Sequence, residues 1–267
     1  VVDDTSTSDV EVSESEGIIN VTFCRDAKLN AITPAMFDAL DAAVTQLEQR
    51  ADLRVLVIRG RGRYFTAGLD ISTVRATVDP GGDASRSGND FRRRYRADAR
   101  HDLFDRLEMV EKPVIMAANG PCMGIGVEMS ASCDFRLASE AASFRLPEVA
   151  KLAVIPGSGG ISRLTRLLGT HWAKWLVMTG ALVDASAATD IGLVHAVYPS
   201  ETFDRDVDEF ARKLAALPAE ALGLAKLAID AASEVDRRTA RDIDRLAQTM
   251  LMQSESLRAG IDRIASR

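Results

Sequence analysis

The sequence predicts an α/β protein, with a parallel sheet in its first half and a helical second half. Three observations carry that expectation. Short, largely apolar runs recur at Ile18–Phe23, 53–58 (LRVLVI), Val114–Ala118 and 135–138, too brief for helices and suited to buried strands. The first two runs are separated by a segment of helical period, and a β-α-β alternation implies parallel strands. From Gly160 onward apolar residues recur at spacings of three and four, as on helices packed by one face.

The elements follow in order. Thr33 is placed to cap a helix, Pro34 suits its first turn, and Phe37, Leu40, Val44 and Leu47 mark its buried face. Segments 160–168, 172–178 and 186–191 read as short helices. Phe203, Val207, Phe210, Leu214 and Leu217 mark one amphipathic helix, and Ile243, Leu246, Met250, Leu257, Ile261 and Ile264 a longer terminal one. Such a terminal stripe must be buried against the body or against another subunit. The expected organisation is an acidic, disordered tail at 1–16, a core at 17–200 and a C-terminal helical region at 201–267. Residues 72–100, polar and glycine-bearing before the run FRRRYRADAR, read as a lid-like insertion. Within it Phe91 and Tyr95 share one face of a short helix expected over 91–100.

Composition excludes several classes. The chain has 267 residues, 46% of them hydrophobic and 27% charged, enough for one substantial core. The net charge of −6 equals the six acids of residues 1–16, a stretch without Lys or Arg, so the remainder is formally neutral. A neutral body offers no field for nucleic acid or anionic membrane. Residues 1–16 lack the pattern of a secretory or mitochondrial leader. The longest uncharged run, 113–127, is interrupted by Pro113, Gly120, Pro121, Gly124 and Gly126, unlike a membrane span. Three cysteines without a CxxC pair favour reduced thiols and a cytoplasmic setting.

Two glycine-bearing turns follow buried strands and could carry chemistry. One is Phe65-Thr66-Ala67-Gly68-Leu69-Asp70; the other runs from Asn119 through Gly124, Ile125 and Gly126 into a helix start at Val127 and Glu128. Small residues let backbone N–H groups approach a ligand, and two such turns can aim two donors at one carbonyl oxygen, an oxyanion hole. Glu128 interrupts an apolar run, and Glu148 opens another; two carboxylates at one site can divide acid and base roles. Equally, Glu128 could serve a structural ion pair and Glu148 a helix start. His101, His171 and His195 have no metal-type spacing with Cys or acids. Ser158 is not in a GxSxG elbow, and Pro156-Gly157-Ser158-Gly159-Gly160 lacks the Lys of a P-loop.

These motifs resemble the crotonase superfamily, the enoyl-CoA hydratase/isomerase family. The match runs through Arg25 to Ala31, with Asn30-Ala31 at its end, through the turn Phe65 to Asp70, the segment Lys112 to Gly120, Glu128, and Phe144-x-x-Pro147-Glu148. It continues with Ile155 to Gly160, Arg163-Leu164, Thr179-Gly180 and Gly192-Leu193-Val194. The resemblance implies a spiral of β-β-α units with a C-terminal helical region that assembles trimers or dimers of trimers. It implies an acyl-CoA substrate and no metal or redox cofactor, coenzyme A being part of the substrate. By motif position it assigns the oxyanion N–H groups to Leu69 and Ile125, and the catalytic pair to Glu128 and Glu148. It places Arg25, Ala27, Lys28, Ala67, Gly68, Asp70 and Gly124 along the substrate. In that reading Glu128 activates water for attack on the β-carbon, and Glu148 protonates the α-carbon. Ile125 stands where the family usually has glycine, and Pro156 where a dienoyl-CoA isomerase would carry a further acid. The implied activity is 2-enoyl-CoA hydration, with Δ3-Δ2-enoyl-CoA isomerisation and non-catalytic acyl-CoA binding as alternatives.

Overall fold

The computed structural model describes residues 9–73 and 99–266. Its main sheet contains β1 (Val10–Ser15), β2 (Ile18–Phe23), β3 (Val55–Gly60), β4 (Val114–Ala118), β6 (Phe135–Ser139) and β9 (Ala196–Tyr198), in the spatial order β1-β2-β3-β4-β6-β9. Every neighbouring pair is parallel except the β1–β2 hairpin. A second, three-stranded sheet joins β5 (Cys122–Met123), β7 (Ser143–Arg145) and β8 (Val183–Asp184) in the order β5-β7-β8. The parallel α/β architecture expected from the sequence is therefore present.

The central strands β3 and β4 are covered on both faces, which is why their buried stretches are apolar throughout instead of alternating. Leu56, Ile58 and Met116 face a core shared with Leu40 and Val44 of α1 (Pro34–Gln49). Val55, Val57, Ile115 and Leu137 face the opposite way, against Phe203, Val207 and Leu214 of a helix at Phe203–Ala215. The Thr33 hydroxyl accepts from the Met36 N–H at 3.4 Å, and Pro34 occupies the first turn, as expected.

The remaining helices are α2 (Ala99–Met109), α3 (Ile125–Ala131), α4 (Gly160–Thr179), α5 (Ala185–Asp190), α6 (Phe203–Ala215), α7 (Ala219–Ala232), α8 (Arg237–Leu251) and α9 (Glu255–Ala265). The two helices expected at 160–168 and 172–178 form one run, bent where Gly169 leaves helical geometry at φ 72°, ψ 165°. The single terminal helix is instead α8 and α9, because the Ser254 hydroxyl accepts from the Leu257 N–H (3.1 Å) and starts a new helix. Helix α7 has no counterpart in the sequence expectations; its sequence, AEALGLAKLAIDAA, is too evenly apolar to show a stripe. Lys226 fastens α7 to the body through Asp134 at 2.9 Å. Helices α8 and α9 bury no residue, and Leu246, Met250, Ile261 and Ile264 stand exposed.

One expectation is corrected outright. The acidic tail is not loose over residues 10–15, which form β1. The turn between β1 and β2 is Glu16-Gly17, both at positive φ (52° and 77°), the geometry of a two-residue hairpin. The acids meet arginines of the body: Glu11 with Arg61 (2.5 Å), Glu14 with Arg50 (2.7 Å) and Glu16 with Arg212 (3.2 Å). These acids are therefore docked on the body where a disordered tail is expected from the sequence. Of the insertion expected at 72–100, residues 74–98 lie outside the described residues, and with them Phe91, Tyr95 and most of their expected helix. Among the described residues no helix is long and apolar enough to cross a membrane.

Candidate active site

The first turn is built by backbone pairing. The Ala67 N–H donates to the Leu29 carbonyl (2.9 Å), the Ile32 N–H to that of Gly68 (2.8 Å), and the Asp70 N–H to that of Ile32 (3.0 Å). These bonds lay 67–70 along 29–32. Asn30, fully buried, braces the segment by donating to the carbonyls of Arg61 and Tyr64 at 2.8 and 2.7 Å. Arg25 donates to the Ala31 carbonyl (3.0 Å) and to the Asp70 carboxylate (2.5 Å). Hydrogen bonds from Ser72, and then from Arg25, hold the Asp70 carboxyl well below the usual carboxylate range. An open pocket of about 370 Å³ lies here, lined by Arg25, Lys28, Ala67, Leu69 and Asp70 together with Ala31, Ile71 and Ser72.

The second turn meets the first at its glycines. A Cβ on Gly68 would stand 3.3 Å from the Met123 carbonyl oxygen, and one on Gly124 would stand 3.9 Å from the Gly68 Cα. Gly124 itself has φ 56°, ψ −122°, a conformation that a side chain would strain. Because Gly124 takes the unusual dihedrals, Ile125 begins α3 in ordinary helical geometry and tolerates its Cβ. Its side chain is 3% exposed and packs in the main core. Among the described residues neither the Leu69 nor the Ile125 N–H has an acceptor.

Two carboxylates border this contact. Glu148 opens a single π-helical turn (Glu148–Leu152). A Cβ on Gly124 would come within 2.8 Å of its Oε1, while its Oε2 is buried without a hydrogen-bond partner among the described residues. Burial pushes this carboxyl up from its ordinary range. Glu128, on α3, is 3% exposed. Its Oε2 accepts the N–H groups of Ser158 (2.7 Å) and Gly160 (3.2 Å), at the N-terminus of α4. Burial pushes Glu128 up to about 7, with a further upward push from Glu148; the two N–H donors and Arg100 pull the other way. A carboxyl poised near neutrality beside a second, half-buried one is suited to proton transfer.

The residues singled out in the sequence thus fall into one neighbourhood. Arg25, Lys28, Ala67, Leu69 and Asp70 line the pocket, Gly68 and Gly124 join the two turns, and Glu148 touches Gly124. Ala27 is exposed in the adjoining turn and does not line the pocket, nor does either glutamate. Sequence reasoning missed the grip on Glu128. The Gly157-Ser158-Gly159-Gly160 turn lacks a P-loop lysine, yet its Ser158 and Gly160 amides hold a carboxyl at the N-terminus of α4, and that carboxyl is the protein's own Glu128. Glycines before a helix, downstream of an isolated acid in an apolar run, were the available signal.

The sheet order and the paired turns define a crotonase-type α/β protein. A crystal structure of an enoyl-CoA hydratase from Bacillus anthracis shares the fold with a TM-score of 0.86 and 30% identity, covering 97% of this chain and 96% of that one. The enoyl-CoA hydratase/isomerase family profile matches residues 13–267, and the chain belongs to that family. It is 34% identical over 231 residues to a short-chain-enoyl-CoA hydratase of Clostridium acetobutylicum, covering 86% of this chain and 84% of the relative. It is 32% identical over 262 residues to an enoyl-CoA isomerase/hydratase of Mycosarcoma maydis, covering 94% and 90%.

Proposed function

We propose that the protein is a 2-enoyl-CoA hydratase. The observation that carries this reading is the presence of two carboxyls, the buried Glu128 and the half-buried Glu148, beside two turns whose Leu69 and Ile125 N–H groups have no acceptor among the described residues. Hydration adds oxygen at the β-carbon and hydrogen at the α-carbon, so it needs one group to take a proton and one to give it. The amide grip on Glu128 Oε2 leaves its other oxygen to accept a proton from water as the water oxygen bonds to the β-carbon. The electron pair of the double bond moves toward the thioester carbonyl, whose oxygen receives the Leu69 and Ile125 N–H groups. One such donor contributes roughly 3 kcal/mol to a developing oxyanion. Glu148 then delivers its proton to the α-carbon, the enolate collapses, and proton exchange with solvent resets the pair. Coenzyme A enters with the substrate, Arg25 and Lys28 lie on the wall of its pocket, and the steps draw on no other cofactor. The three unpaired cysteines fit a reducing, cytoplasmic setting.

A Δ3-Δ2-enoyl-CoA isomerase is the second reading, favoured by Glu148, whose Oε1 lies against Gly124 and whose buried Oε2 has no partner among the described residues, so that this carboxyl could shuttle an α-proton alone. The deciding experiment supplies the full chain with 2-enoyl- and 3-enoyl-CoAs of graded length and follows the conjugated-thioester absorbance. Hydration lowers it for 2-enoyl substrates; isomerisation raises it for 3-enoyl substrates. No change with either class would leave acyl-CoA binding alone. We also propose assembly as a homotrimer or dimer of trimers, since the apolar residues of α8 and α9 have no cover among the described residues; sedimentation of the purified protein measures it.

A further inference from the structure

Arg163, on the first turn of α4, is a buried cation (5% exposed) that joins α2 to the segment leading into its own helix. Its Nε donates to Glu108 Oε2 at 2.8 Å, and Nη2 donates to Asp105, both on α2. Its Nη1 donates to the Ser158 carbonyl at 3.4 Å, while the N–H of the same Ser158 donates to Glu128 Oε2 at 2.7 Å. Segment 158–160 is thus a thin layer between a cation and a carboxylate. Glycines make the layer thin on both sides. A Cβ on Gly159 would stand 2.1 Å from Arg163 Nη1, and one on Gly160 would stand 2.5 Å from Glu128 Cγ.

We infer that Arg163 is a positioning residue for Glu128, setting the carboxylate's orientation and proton affinity through the 158–160 backbone. The inference rests on the hydratase reading, in which Glu128 receives the proton of water. The mechanism is electrostatic and mechanical together. Hydrogen bonding at the Ser158 carbonyl fixes the segment whose amides grip Oε2, and the guanidinium favours the ionised carboxylate across a low-dielectric gap. Helix α2 gives the guanidinium its anchor, and α2 is itself tied to α1 by Arg106, which meets Asp41 at 2.5 Å and Glu48 at 2.7 Å. The other charged groups facing Glu128 are Glu148, from the π-helical turn, and Arg100, from α2.

The test compares wild type, Arg163→Met and Arg163→Lys as full-length proteins. It reads kcat and KM for but-2-enoyl-CoA against pH, and the pH titration of the Ser158 and Gly160 amide resonances, which report Glu128 whether or not turnover occurs. Glu128→Gln, by abolishing the titration, assigns it. In Arg163→Met the amide midpoint and the acid limb of kcat should both move up by about one pH unit, with kcat about tenfold lower on the acid side and KM little changed. Arg163→Lys keeps the charge but cannot reach both the α2 carboxylates and the Ser158 carbonyl, so it should shift both midpoints the same way by less. Should Arg163→Met fail to fold, Arg163→Lys decides alone. Amide midpoints equal to wild type in a folded variant would overturn the inference and leave Arg163 a strut between α2 and α4. If wild type leaves but-2-enoyl-CoA unchanged while its amides titrate and shift as described, the hydratase reading fails and the coupling stands.

Discussion

Gly160 faces the Glu128 side chain with no room for a methyl group: a Cβ would stand 2.5 Å from Glu128 Cγ and 2.8 Å from Oε2. The carboxylate therefore lies flat on the backbone at the start of α4. Gly160→Ala should push Glu128 off its amide donors and lower kcat by about tenfold or more, since small misplacements of a proton-transfer group are costly. Overpacking at this site should also reduce stability by roughly 1–3 kcal/mol. Steady-state kinetics and denaturant unfolding on the same sample check both.

Glu128→Gln and Glu148→Gln should each reduce hydration by about 100-fold or more, the low end for acid–base catalysis. Both are nearly isosteric, so circular dichroism should be unchanged. A Glu128→Gln protein that still isomerises 3-enoyl-CoA would identify Glu148 as a proton shuttle in its own right. Full hydratase turnover in either variant would remove the two-glutamate mechanism.

Stability should fall as pH rises through Glu128's range. Below its ordinary value of 4.5 the carboxyl is protonated whether the chain is folded or not, and it contributes nothing to pH dependence. Between 4.5 and about 7 the unfolded chain ionises while the folded protein keeps the proton, so unfolding becomes easier with each step in pH. The accumulated loss above pH 7 is roughly 3 kcal/mol. Glu128→Gln, whose amide oxygen can accept from Ser158 and Gly160, should recover that amount at pH 8 and nothing at pH 4. Paired urea titrations at the two pH values read the difference.

Ile125 should matter for packing more than for the reaction. Its N–H is fixed by the turn, and its side chain belongs to the core. Ile125→Val should cost about 0.5–1.5 kcal/mol of stability and leave kcat within about threefold. Ile125→Gly should be more destabilising and give no gain in activity. A large increase in turnover with glycine would mean that the isoleucine obstructs the thioester.

Much of this architecture was legible in the sequence, because its signals are local. Thr33-Pro34 announces α1, and continuous apolar runs announce strands covered on both faces. What escaped was long-range. β1 and its turn read as a disordered acidic tail because their partners, Arg50, Arg61 and Arg212, are scattered along the chain. Helix α7 lacked a stripe because its alanines serve every side alike. In the site, Glu128 and Glu148 were named as a pair, but the role of Ser158 and Gly160 was not. Backbone donors carry no side-chain signature, and their acceptor lies 30 and 32 residues away.

The hairpin of β1 carries a further consequence, one of ionic strength. Its attachment includes carboxylate–guanidinium pairs at exposed positions, where attraction depends on the surrounding electrolyte. The screening length shrinks from about 10 Å at 0.1 M salt to about 3 Å at 1 M. Concentrated salt should therefore weaken the ionic part of the hold on β1 and leave its backbone ladder to β2 in place. The expected outcome is faster amide exchange in Val10–Ser15 than in the central strands as salt is raised, with β1, at the edge of the sheet, the first strand to expose pairing groups to another chain.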